Sequence, residues 1–139
     1  MSETENADAR IEQIVSAINE KDREALGSLF SEKALREADG FDDKIDYLYD
    51  FFQDNIDSWE RNDLSSDESI RNGKKSLMIR FAFDLHTNND VYRFFIIDYS
   101  KDTIDPENQG VYMLELIAFT DRTDLEAWQD RMRAGIYIH

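Results

Sequence analysis

The chain has 139 residues, 41% of them apolar and 12% aromatic, which suits one domain with a hydrophobic core. Its 34% charged residues and mean hydropathy of -0.65 point away from membrane insertion, and a net charge of -15 repels phosphate backbones, so nucleic acid is not an expected partner. Having no cysteine excludes disulfides, thiolate chemistry and cysteine-held metals, while His86 and His139 are too few for a multi-histidine centre, and no cofactor is expected.

Residues 1–9 read as a flexible acidic leader without a signal peptide's basic and apolar regions, and 10–139 as one α+β domain. Ser2 and Glu5 match a capping box. Ile11, Ile14, Val15 and Ile18 fall on one helical face. Asp22 can cap a second helix carrying Ala25, Leu26, Leu29 and Phe30, and Ser31 a third with Ala34, Leu35 and Ala38. After Gly40, the spacing of Phe41, Ile45, Leu48 and Phe52 predicts a fourth.

From Ile56 the period shortens to two. A strand is expected over 56–64, and a clearer one where Leu77, Ile79, Phe81, Phe83 and Leu85 alternate with Met78, Arg80, Ala82, Asp84 and His86. Asn88 and Asn89 suit a hairpin into Val91–Tyr99, and a loop holding Pro106 leads into Val111–Phe119. Thr123 with Glu126 opens a short C-terminal helix through Trp128 and Met132, and the apolar tail Ile136–Ile138 is expected to dock on the domain. The order predicts N-terminal helices packed on a four-stranded antiparallel sheet.

At "SAINEKDREALGSLFSEKA" the chain resembles nuclear transport factor 2-like domains, in which a curved sheet wraps a long helix as a cone. With "FDDKIDYLYDFFQ", "SWE", "ESIRNGKK", "VYRFFIIDYS" and "GVYMLELI", it is similar to an uncharacterised family of Gram-positive bacterial lipoproteins over most of residues 9–120. That resemblance implies an extracytoplasmic, lipid-anchored location, although the chain has no lipobox cysteine; without it a cytoplasmic location is expected. It also implies a cavity in the cone, and a homodimer through the sheet is a further expectation.

Asp39, Asp43, Asp46, Asp50, Asp54 and Asp57 recur three or four residues apart, with Asp42 adjoining, and are expected along one side of the fourth helix. Like charges at this spacing destabilise each helical pair by about 0.2–0.5 kcal/mol. The plain reading is a solvated helix face. The functional reading is a docking strip for a basic protein, where an acidic field raises the on-rate, as in an immunity protein neutralising a cationic toxin. The stretch 98–109 is not an EF-hand, because Thr103 and Gln109 stand where that loop needs Gly and Glu.

The alternative is a pocket for a small apolar ligand. Alternation places Tyr92, Phe94, Ile96 and Asp98 on one face of a strand, and Val111, Met113, Glu115, Ile117 and Phe119 on one face of another. If both faces line the cavity that the resemblance implies, Asp98 and Glu115 are acids in an apolar pocket. A ketosteroid-isomerase-like reaction would then use Asp98 as base and Tyr92 or Tyr112 as oxyanion donor. A cross-strand ion pair with Arg80, Arg93 or Lys75 explains both acids without catalysis. Neither Gly-x-Ser-x-Gly nor a Gly-rich phosphate loop occurs.

Overall fold

A computed structural model of the chain describes residues 2–52, 54–88, 90–118 and 132–138. Four helices come first: α1 (Glu3–Asn19), α2 (Arg23–Leu29), α3 (Glu32–Glu37) and α4 (Phe41–Phe51). Among the described residues five strands follow, β1 (Ser58–Arg71), β2 (Lys74–His86), β3 (Val91–Asp102), β4 (Gly110–Ala118) and β5 (Gly135–Ile138), in one sheet of spatial order β1-β2-β3-β4-β5. Among the described residues, no helix is long and apolar enough to cross a membrane.

Side-chain oxygens start the first three helices. Ser2 Oγ accepts from the Glu5 amide at 3.1 Å, Asp22 Oδ1 from Ala25 at 3.0 Å and Ser31 Oγ from Ala34 at 3.0 Å. In place of the expected leader, residues 3–9 form the first turns of α1. The Ser2 cap and the acids Glu3 and Glu5 suit a helix N-terminus, and Ala7, 0% exposed, extends the buried stripe of Ile11, Ile14 and Ile18.

Strands β1 to β4 form an antiparallel meander. β1 runs well past the expected Leu64, because its ladder continues to Arg71↔Lys74 and closes through Asn72 and Gly73, at φ 50° and 79°. Asn-Gly with two positive φ angles is a two-residue hairpin turn. The sheet has five strands and not four: the apolar tail adds itself as β5, parallel to β4 from Met113↔Gly135 to Leu116↔Ile138. Pairing with β4 satisfies one edge of its backbone while Ile136 is buried. Of the expected C-terminal helix, 123–131 lie outside the described residues, and Met132, within them, is not helical.

The helices cover one face of the sheet. Ile11, Ile14, Leu26, Ile45 and Leu48 pack there with Ile79, Phe81 and Phe83 of β2, Phe94 and Ile96 of β3, and Leu114 and Leu116 of β4. A second cluster, centred on Ala82, Phe95, Ile97 and Met113, lies on the other face. Phe81, Phe83, Phe94 and Phe95 are all 0% exposed, and each contributes about 1.5–3 kcal/mol relative to exposure, so stability concentrates in β2 and β3.

A main-chain seam joins the layers. The Ser31 amide donates to the Val111 carbonyl at 2.9 Å, and Phe30 and Val111 form a parallel bridge. Gly110, at φ 127°, makes the approach possible, since a Cβ there would lie 2.9 Å from Ser31 N and 3.1 Å from Leu29 O.

Candidate functional site

The aspartate row does not share one helix. α4 begins at Phe41 after Gly40, which adopts φ 59°, and ends at Phe51. Asp39 therefore precedes it, while Asp54 and Asp57 follow it. Asp43, Asp46 and Asp50 do occupy one exposed α4 face, opposite buried Ile45 and Leu48. All six residues of the row are exposed, as is Asp42.

Two cations, Lys21 between α1 and α2 and Arg23 at the start of α2, offset part of this charge. Arg23 bonds the Asp46 carboxylate through Nη1 and lies 3.9 Å from Asp42 Oδ1. With Arg23 44% exposed and Asp46 60%, this is a solvent-screened pair. Lys21, at φ 54°, caps the C-terminus of α4: its Nζ donates to the Tyr49 carbonyl at 2.6 Å and to the Phe52 carbonyl. The last turn of α4 has no basic residue, so Lys21 is the charge that complements its negative end. Burial lowers the Lys21 pKa, with the Asp50 carboxylate opposing. Among the described residues, no ion pair engages Asp39, Asp43 or Asp57.

Beyond the end of α4 two candidates meet. Asp54 and Tyr92 line a cavity of about 210 Å³ together with Phe51, Phe52, Thr87 and Asp90. Three rings build its apolar part: Phe51 and Phe52 lie edge to face with centroids 5.3 Å apart, and Tyr92 lies 5.2 Å from Phe51 and 5.6 Å from Phe52. Thr87 and Asp90 come from the turn between β2 and β3, closed by Thr87 N to Asp90 O at 3.0 Å and Asp90 N to Thr87 Oγ1 at 3.2 Å. Burial raises the Tyr92 hydroxyl pKa, and the neighbouring carboxylates push it further: Asp90, by charge and as hydrogen-bond acceptor, and then Asp54.

Asp98 and Glu115 lie on opposite faces of the sheet. Asp98 pairs across β4 with Val111, on the helix side, whereas Glu115 pairs with Phe95, on the other side. The ladder slips between Ile97 and Asp98, leaving Tyr112 extra on β4. That bulge gives Val111 a different facing from Met113, Glu115 and Ile117 and breaks the alternation expected of β4. One cavity therefore does not contain both acids.

Each acid has its own cation. Asp98, 2% exposed, accepts from Arg10 Nε of α1 at 3.1 Å and from Arg10 Nη2 at 3.5 Å. Burial raises its carboxyl pKa while Arg10 opposes. Glu115, also 2% exposed, lies 3.8 Å from Arg133. The anticipated cross-strand ion pairs do form, but with other acids: Arg80 with Asp67, Arg93 with Asp84 and Lys75 with Glu68. Tyr112 donates to Glu37 Oε1 of α3 at 3.0 Å, and burial with this carboxylate pushes its hydroxyl up to about 12. It does not line the cavity beside Tyr92. Among the described residues, no three His, Asp or Glu side chains converge as metal ligands.

Sequence reasoning singled out Asp54 and Tyr92 but not Phe51, Phe52, Thr87 or Asp90. A local signal existed in the aromatic run at the end of the fourth helix and the acid two residues before Tyr92. A family model described as a domain of unknown function (DUF5104) matches residues 13–120. No curated protein matches the chain.

Proposed function

The chain belongs to the DUF5104 family, and since no activity accompanies that membership we propose one from its own residues: a non-enzymatic module that binds a basic protein through its acidic α4 surface. The observation that carries this reading is the set of exposed carboxylates at Asp39, Asp43, Asp46, Asp50, Asp54 and Asp57, on and around one helix. Arg23 and Lys21 offset part of it from neighbouring elements, and the net charge of -15 adds a long-range field of the same sign. Such a surface speeds capture of a cationic partner and rejects anionic ones. In its most concrete form the module is an immunity protein that neutralises a basic toxin.

We read the fold as a nuclear transport factor 2-like cone of the lipoprotein type. The helices-first order and their packing on one face of the sheet support that reading.

The test uses the purified chain as bait against lysate of its source organism, at about 10 and 150 mM salt, where the Debye length is about 30 and 8 Å. The expected result is stoichiometric capture of one basic protein, with affinity at least tenfold weaker for Asp46→Asn/Asp50→Asn/Asp54→Asn. Unchanged affinity in that variant, with its fold intact by circular dichroism, overturns the reading.

A further inference from the structure

We propose that the cavity lined by Phe51, Phe52, Tyr92, Asp54 and Asp90 seats the side-chain cation of one lysine or arginine of the basic partner. This rests on the binding-module reading and deepens it, because it names the group the partner must present.

Size, lining and charge each narrow the occupant. At about 210 Å³ the cavity falls below the roughly 300–1,000 Å³ of pockets that enclose drug-sized ligands, and it opens at the surface, as a site for one protruding side chain must. Its apolar part is three aromatic rings within 5.6 Å of one another, and aromatic rings attract cations through their negative faces. Its two carboxylates, Asp54 and Asp90, are both exposed, and none of the described lining residues is cationic. Burial is the main reason the Tyr92 pKa is raised, and the Asp90 and then the Asp54 carboxylate push it further in the same direction, as expected of a negative rim. Lys21, whose ammonium reaches the Phe52 carbonyl, is committed to the α4 carbonyls.

The position also fits. Phe51 ends α4 and Asp54 belongs to the acidic row, so an extended basic segment lying along Asp43, Asp46 and Asp50 would reach the cavity at the helix C-terminus. Charge on α4 would gather the partner, and the ring-lined cavity would fix its register.

The experiment titrates the full chain with acetyl-lysine methylamide, acetyl-arginine methylamide and the uncharged acetyl-norleucine methylamide, following the Phe51, Phe52 and Tyr92 ring signals by NMR. Saturable shifts of these rings with the two cationic amides, and none with norleucine, are expected. Asp54→Asn/Asp90→Asn, both at exposed positions, should weaken the interaction at least fivefold. Glu12→Gln/Glu24→Gln, both exposed and outside the lining, removes the same charge and should change it less than twofold. No saturable shift, or an equal one with norleucine, overturns the proposal. A decalysine peptide separates the two readings: binding weakened by Asp43→Asn/Asp46→Asn but untouched by Asp54→Asn/Asp90→Asn would sink the cavity and leave the module standing. Binding untouched by either variant would count against both.

Discussion

Two populations of acids share this chain and differ in their surroundings. On and beside the sheet, Asp84, Asp98, Asp102 and Glu115 are 2–7% exposed, and each is held by a specific partner. Asp84 takes Arg93 Nε at 2.8 Å and Asn62 Nδ2 at 2.9 Å, and Asp102 accepts from the Asp105 amide at 2.7 Å, Ser76 Oγ at 3.1 Å and Asn108 Nδ2 at 3.2 Å. On α4 and its flanks the acids face water, and their cations come from outside the helix. Burial makes a charge depend on its partner, whereas exposure lets water serve. Buried acids here hold the fold, and the proposed function assigns recognition to the exposed acids on and around α4.

The sharpest way to break this contrast is Arg10→Met. It leaves Asp98 buried without its cation and should lower stability by about 3–5 kcal/mol, read as a shift in urea midpoint; adding Asp98→Leu should recover most of that. A loss below about 1 kcal/mol would place Asp98 outside the dependent class. Asp102→Ala comes next: it strips an acceptor from three donors and should lower stability by about 1–3 kcal/mol, with faster hydrogen exchange at the Asp105 amide.

Alkaline pH tests the same contrast through the tyrosines. Burial pushes Tyr49 and Tyr112 from 10.0 up to about 12, assisted by Asp22 and by Glu37 respectively. A pKa higher in the folded state means that these phenols favour folding fully below about pH 10, and that the contribution is lost as pH rises through about 12. Tyrosinate absorbance should therefore show late-ionising residues, Tyr49 and Tyr112 among them, and Glu37→Gln should bring Tyr112 earlier. The smallest effect belongs to α4: Asp43→Asn or Asp46→Asn should change stability by no more than about 1 kcal/mol. A larger change would assign the row to the fold.

Local chemistry was legible in the sequence. Asp22 and Ser31 cap as their side chains require, and the alternation from Leu77 to Leu85 is the helix-facing side of β2. What escaped depends on partners distant in the chain. Nothing near Ile136 says that it will lie beside Leu114, or near Tyr112 that one extra residue will fit there, and that bulge separates Glu115 from Asp98. The aspartate spacing is real, yet the helix stops at Phe51, so the last two acids leave its face and one joins an aromatic cavity completed by a turn about 35 residues later. The Asn72–Gly73 turn was readable by itself and shows how one dipeptide decides where a long strand ends.

The seam at Gly110 has a consequence for how such a protein can change over generations. Its atoms are main-chain: the Ser31 amide, the Val111 carbonyl, and a glycine that leaves room for both. A joint made of backbone is indifferent to which side chains the helices show to water. Charges on the α4 surface can thus be exchanged without loosening this attachment of helices to sheet.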